Sequence, residues 1–169
     1  MSNQLVALIA NMALTLSVIV AVIFGIAQVR TSNQDRRERL TLDTLRSFQT
    51  REFAEMLNYI STIKMPHTTE EWAKWPNEDQ IRIVHLSQQM ESLGLLLAEH
   101  LIKIDLVDKT LGSFVSTTWE LYRPLIVDMR EKNADPYLSE YFQWMAEQLD
   151  RRMKEKPRKP FFLSSKTAV

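Results

Sequence analysis

The longest constraint on this chain is the run from Leu5 to Val29, which holds 25 residues and no charged side chain. As a helix at about 1.5 Å per residue it reaches roughly 37 Å. The hydrocarbon core of a bilayer is about 30 Å thick, so the run spans it with some tilt. A core helix of that length in a soluble domain carries a charged solvent face, and this run carries none. A cleaved signal peptide has a basic start and a shorter apolar core. Here the first Lys or Arg is Arg30. The sequence therefore predicts an uncleaved transmembrane anchor over residues 1–30.

Charge gives the anchor a direction. Arg30, Arg36, Arg37 and Arg39 follow the run, against Asp35 and Glu38. Cytoplasmic flanks are enriched in Lys and Arg, whereas acidic residues carry little weight. The expectation is a single-pass inner (plasma) membrane protein, N-terminus outside and the remainder cytoplasmic. Beyond the anchor, residues 40–149 carry ten basic and seventeen acidic side chains, a balance of −7. Residues 150–169 carry seven basic side chains against Asp150 and Glu155, a balance of +5. An acidic body thus lies between two basic ends.

Within the run, Ala13, Ser17, Ala21 and Gly25 recur at every fourth position. With Ala7 and Ala10 they share one arc of roughly 120° on a helical wheel, and Gln28 joins them. Helices in lipid associate through close backbone approach at small residues, because lipid offers little hydrophobic drive between them. Two readings fit. The row is a helix-packing face for self-association or a protein partner, or it reflects the general abundance of Ala and Ser in membrane helices.

The body reads as helices. Glycine is scarce, at three in 169 residues, whereas β-rich chains use it freely at turns. Leu42, Leu45, Phe48, Phe53, Met56, Leu57, Ile60 and Ile63 recur at helical spacing, which predicts one long, stalk-like helix over 34–64. Pro66 stops it, and Thr68 with Glu71 three residues on forms a capping box for a short turn carrying Trp72 and Trp75. Ile83, Leu86, Met90, Leu93, Gly94, Leu97 and Leu101 share a face of a helix over 77–102. Asp105 is a candidate cap and Gly112 a candidate stop for one turn. A helix over 113–131 follows, with Pro124 inside it. Asp135 and Pro136 then form a start signal for the last helix. The sum is an all-α chain: one transmembrane helix, then a small cytoplasmic bundle of four to five helices over 31–150.

The sequence holds no recognisable chemistry. Cysteine is absent, and His67, His85 and His100 lie outside any metal-ligand spacing. There is no glycine-rich phosphate loop and no serine elbow. The expectation is no enzyme, no cofactor and no metal. Glu91 is the notable single side chain, a carboxylate at the edge of an apolar helix that needs a partner. Arg123 and Arg130, seven residues apart, are the candidate partners. The pairing reads either as an ion pair fixing helix register or as part of a binding pocket, and the structural ion pair is the simpler.

The end of the chain, 151–169, reads as a basic flexible tail. Arg151, Arg152, Lys154, Lys156, Arg158 and Lys159 are candidates for anionic lipid, with Phe161 and Phe162 entering the interface. A solvated tail is the alternative. Nucleic acid fits poorly, since the body is acidic and no aromatic platform interleaves with the basic residues.

The stretches "MESLGLLLAEHLIKIDLVDKTLG", "W--LYRPLI--MR" and "YLSEYFQWMAEQL" resemble a bacterial family of unknown function. The matching positions are Glu91, Leu93, Gly94, Asp105, Leu106, Val107, Trp119, Pro124, Ile126, Arg130, Tyr137, Phe142 and Leu149. The resemblance implies a short, single-span inner-membrane protein with a helical cytoplasmic part, and it brings no activity. Function is therefore expected to be that of a membrane-anchored interaction or scaffold module. The alternative is an accessory subunit of a membrane complex, such as a transporter or defence effector.

Overall fold

A computed structural model describes residues 3–164. Among these residues there are seven helices and no strand: α1 (Asn3–Arg46), α2 (Arg51–Thr62), α3 (Thr69–Ala73), α4 (Asn77–Ala98), α5 (Ile104–Asn133), α6 (Glu140–Glu155) and α7 (Phe161–Ser164). The chain divides into two compact units, one up to Leu40 and one from Thr41 onward. The described residues of the first unit form a single helix. Its apolar side chains are exposed along its length, including Met12 at 66%, Leu14 at 70% and Phe24 at 70%. This N-terminal helix is long and apolar enough to cross a membrane.

The second unit is a helical bundle. Helix α4 buries Ile83, Leu86, Met90, Leu93, Gly94 and Leu97, a spacing of three and four that keeps one face inward. Helix α5 buries Val107, Val115, Trp119, Tyr122 and Leu125 in the same core, and α6, which packs along both α4 and α5, adds Phe142, Met145 and Leu149. The Phe142 ring lies 5.2 Å from Trp119 and 6.0 Å from Tyr122, both edge-on. The buried Tyr122 hydroxyl donates to the Ile83 carbonyl at 3.0 Å, and burial raises its pKa. Each such large apolar side chain contributes about 1.5–3 kcal/mol on burial.

The stalk expected over 34–64 is two helices. Helix α1 ends at Arg46, and Thr50 caps α2 by accepting the Phe53 N–H at 3.2 Å. The intervening turn sends Phe48 inward, where it meets Phe53 edge-on at 5.1 Å; Phe53 in turn meets Phe114 at 5.2 Å. On a continuous helix these two positions lie roughly 140° apart, and the turn is what brings both rings to one core. Thr41, fully buried, accepts the Lys103 N–H at 2.9 Å and fastens the end of α1 to the start of α5.

Three further boundaries differ from expectation. Gly112 does not stop a helix: α5 starts at Ile104, runs through it and, with Pro124 inside as expected, reaches Asn133. Helix α4 ends at Ala98 rather than 102, with His100 left-handed at φ 54°. The His100 N–H reaches the Leu97 carbonyl and the Leu101 N–H reaches Leu96, a Schellman closure built without glycine. That turn leaves Leu101 exposed. Finally, α6 begins at Glu140, not Pro136. Asp135 instead accepts the Tyr137 N–H in a turn, and Ser139 is left-handed at φ 57°. The short α3 keeps its expected cap, Thr68 accepting from the Glu71 N–H at 3.2 Å. Trp72 and Trp75 pack together at 5.8 Å over the core.

Candidate functional site

Three places carry the side chains singled out by the sequence, and a fourth carries others. The first is the row on α1. Ala13, Ser17, Ala21 and Gly25 are all exposed. A Cβ placed on Gly25 would meet nothing within 4 Å. The Ser17 hydroxyl donates to the Ala13 carbonyl at 2.9 Å, so its proton is used inside the helix and its oxygen is left to accept.

The second is Glu91. It does not pair with Arg123 or Arg130. Its carboxylate accepts the backbone N–H groups of Tyr141 and Phe142 at 3.1 and 2.8 Å. These are the second and third residues of α6, whose N–H groups a capping side chain normally takes. Ser139 is at the cap position but makes no capping bond; its hydroxyl faces that of Ser87 at 3.2 Å. Glu91 supplies the missing cap from another helix, and its charge suits the positive end of the α6 dipole. Gly94, one turn along, lets the backbones approach: a Cβ there would lie 2.3 Å from the Tyr141 carbonyl oxygen. Arg130 holds the same turn from α5, donating to the Leu138 carbonyl at 2.9 Å and to Gln143 at 2.6 Å. Arg123 pairs with Glu120 at 3.3 Å on the surface of α5. The expected ion pair is thus replaced by a cap, because a helix N-terminus gave the carboxylate a nearer set of donors.

The third place was not anticipated. The Thr69 N–H and hydroxyl both donate to Asp128 at 2.6 Å. Lys132, one turn beyond Asp128, bridges Asp128 at 3.0 Å and Glu70 at 2.5 Å. The Thr69 hydroxyl, then its N–H, then Lys132 hold the Asp128 carboxyl down at about 2. Glu70 and Asp128 in turn raise the Lys132 pKa. The i, i+4 spacing of Asp128 and Lys132 was visible in the sequence; their contact with α3 was not.

The fourth is the basic end. Residues 151–155 complete α6 rather than begin a tail. Arg152 pairs with Asp105, Lys154 pairs with Asp150 at 2.6 Å, and Arg158 Nε lies 3.7 Å from Asp108. Half of the basic lipid candidates on this stretch therefore bind carboxylates of the bundle or of α6 itself. Arg151, Lys156 and Lys159 are exposed, as is Phe162. The Phe161 side chain lies outside the described residues, as does everything after Ser164.

Among the described residues, no three His, Asp or Glu side chains gather as a metal-holding group. No curated protein and no solved structure matches the chain. A family model does match, over residues 15–149, taking in part of the apolar helix and the bundle through the end of its buried α6 face. By that match, which covers well over half of the chain, the protein belongs to the family described as a domain of unknown function, DUF4760.

Proposed function

We propose that this protein is a membrane-anchored, non-catalytic module whose helical bundle binds a protein partner at the cytoplasmic face of the inner membrane. One observation carries the reading: the helical run Leu5–Val29 is uncharged, and its described large apolar side chains are exposed rather than buried. Side chains of that kind in water would be a large aggregation-prone surface, and in lipid they are at home. The four arginines from Arg30 to Arg39 support an N-out orientation. The bundle offers acidic, helical surface for a partner.

The absence of cysteine allows a clean test of topology. Single cysteines replace Gln4 and Ser61 in turn, and intact cells are treated with an impermeant thiol reagent. Labelling at Gln4→Cys alone supports the reading. Labelling at Ser61→Cys in intact cells, or extraction of the chain by alkaline carbonate, overturns it.

The exposed row Ala13, Ser17, Ala21 and Gly25 favours a second reading, an accessory subunit docked through its membrane helix. Ala21→Leu with Gly25→Leu separates the two. Loss of a co-purifying membrane partner favours the accessory subunit. Partner binding that survives replacement of the whole helix by an unrelated span favours the bundle as the recognition surface.

A further inference from the structure

The segment after α6 and the first half of α5 form a groove that the sequence does not foretell. Lys109 of α5 lines it together with Arg158, Lys159 and Pro160, and it measures about 620 Å³. Three cations and a proline thus face one space, brought together from positions some fifty residues apart.

The fold holds the segment in place through Asp108. This carboxylate is buried, at 6% exposure, and Arg158 is its charged partner. Room for it comes from Gly112, one turn along α5, where a Cβ would lie 2.8 Å from Asp108 Oδ1. A second latch, Arg152 to Asp105, fixes the end of α6 on the same turn of α5. With Arg158 paired to Asp108, Lys109 and Lys159 remain exposed. Like charges lining one space repel, and an anion bound there offsets the repulsion. Just beyond, Phe162 and Leu163 are 72% and 59% exposed. Cations beside exposed apolar side chains match the boundary between lipid headgroups and acyl chains.

We propose that the groove lined by Lys109, Arg158 and Lys159 binds the phosphate of an anionic lipid headgroup, with Phe162 and Leu163 entering the interface beside it. This rests on the membrane-anchored reading given above. It makes the end of the chain a second membrane contact.

The test uses the full chain with Ser164→Cys carrying an environment-sensitive dye. It is placed in nanodiscs of phosphatidylcholine alone or mixed with phosphatidylglycerol. Retention of the chain in neutral discs reads the anchor; the dye reads the groove. The expected result is a blue shift in anionic discs only. Lys109→Gln or Lys159→Gln should each require about fivefold more phosphatidylglycerol for the half-maximal shift. Equal emission in both discs overturns the groove and leaves the anchor standing. A shift insensitive to Lys109→Gln also overturns it, since the tail alone would then suffice. Inorganic phosphate giving the same shift in neutral discs, at matched ionic strength, would mark a free-anion site and overturn the lipid assignment. A chain that enters neither disc overturns both readings.

Discussion

Glu91 on α4 accepts the backbone N–H of Phe142 at 2.8 Å, and so caps a helix that begins some fifty residues later in the chain. Charge-assisted bonds to a carboxylate contribute about 1.5–3 kcal/mol each. Glu91→Ala should lower the unfolding free energy of the bundle by about 2–3 kcal/mol, because Ser139 cannot take over the cap. Glu91→Gln keeps one acceptor and should lose about 1 kcal/mol. Denaturant titration of the full chain in mild detergent, followed by tryptophan fluorescence, measures both. Equal losses for the two variants would show that the charge and second oxygen contribute nothing.

Two of the glycines in the matched helices, Gly94 and Gly25, should respond differently. A methyl group at Gly94 has 2.3 Å to the Tyr141 carbonyl, too little for any side chain. Gly94→Ala must push α4 and α6 apart, at a cost of about 1–3 kcal/mol. Gly25→Ala meets open space and should leave bundle unfolding unchanged. The same denaturant titration compares them.

Asp128 supplies a pH dependence with a fixed sign. Its carboxyl is pushed down from 3.8 to about 2, chiefly by the Thr69 hydroxyl. A group whose folded pKa lies below its unfolded value stabilises the fold above the unfolded value. That contribution is lost as the pH falls through the folded value. Its share of stability should therefore be whole above about pH 4 and fade towards pH 2. Asp128→Asn should flatten this part of the stability profile, and Thr69→Val should narrow it. An unchanged slope between those pH values in Asp128→Asn would refute the role.

Ala134 ends α5 in the left-handed region at φ 52°, where a Cβ is unfavourable. Ala134→Gly should stabilise the bundle by about 1 kcal/mol. His100→Gly should act in the same direction at the end of α4, where φ is 54°. Thermal unfolding of the two single variants and the double variant checks both signs and their additivity.

Much of this architecture was legible from local pattern. The three- and four-residue spacing from Ile83 to Leu97 matches the buried face of α4, and Trp119, Tyr122 and Leu125 match that of α5. The Thr68 cap was legible because its donor lies three residues away. The sequence marks Glu91 as a carboxylate in need of a partner, yet its partners are backbone amides. Arg123 and Arg130 looked suitable because sequence displays side-chain charge and hides unsatisfied N–H groups. The latch of Arg158 on Asp108 was hidden in the same way, since the turn that returns the segment to α5 leaves no local periodicity.

The sequence by itself determined that the chain is helical, that its first helix is apolar enough for lipid, and which faces of α4 and α5 turn inward. Those properties follow from side chains within a few residues of one another. Tertiary structure alone decided that the helix expected over 34–64 breaks at Ser47–Thr50, that α6 starts at Glu140, and that Glu91 caps it. The physical reason is that a helix stops where its free N–H and C=O groups find better partners, and those partners come from whichever helix packs alongside.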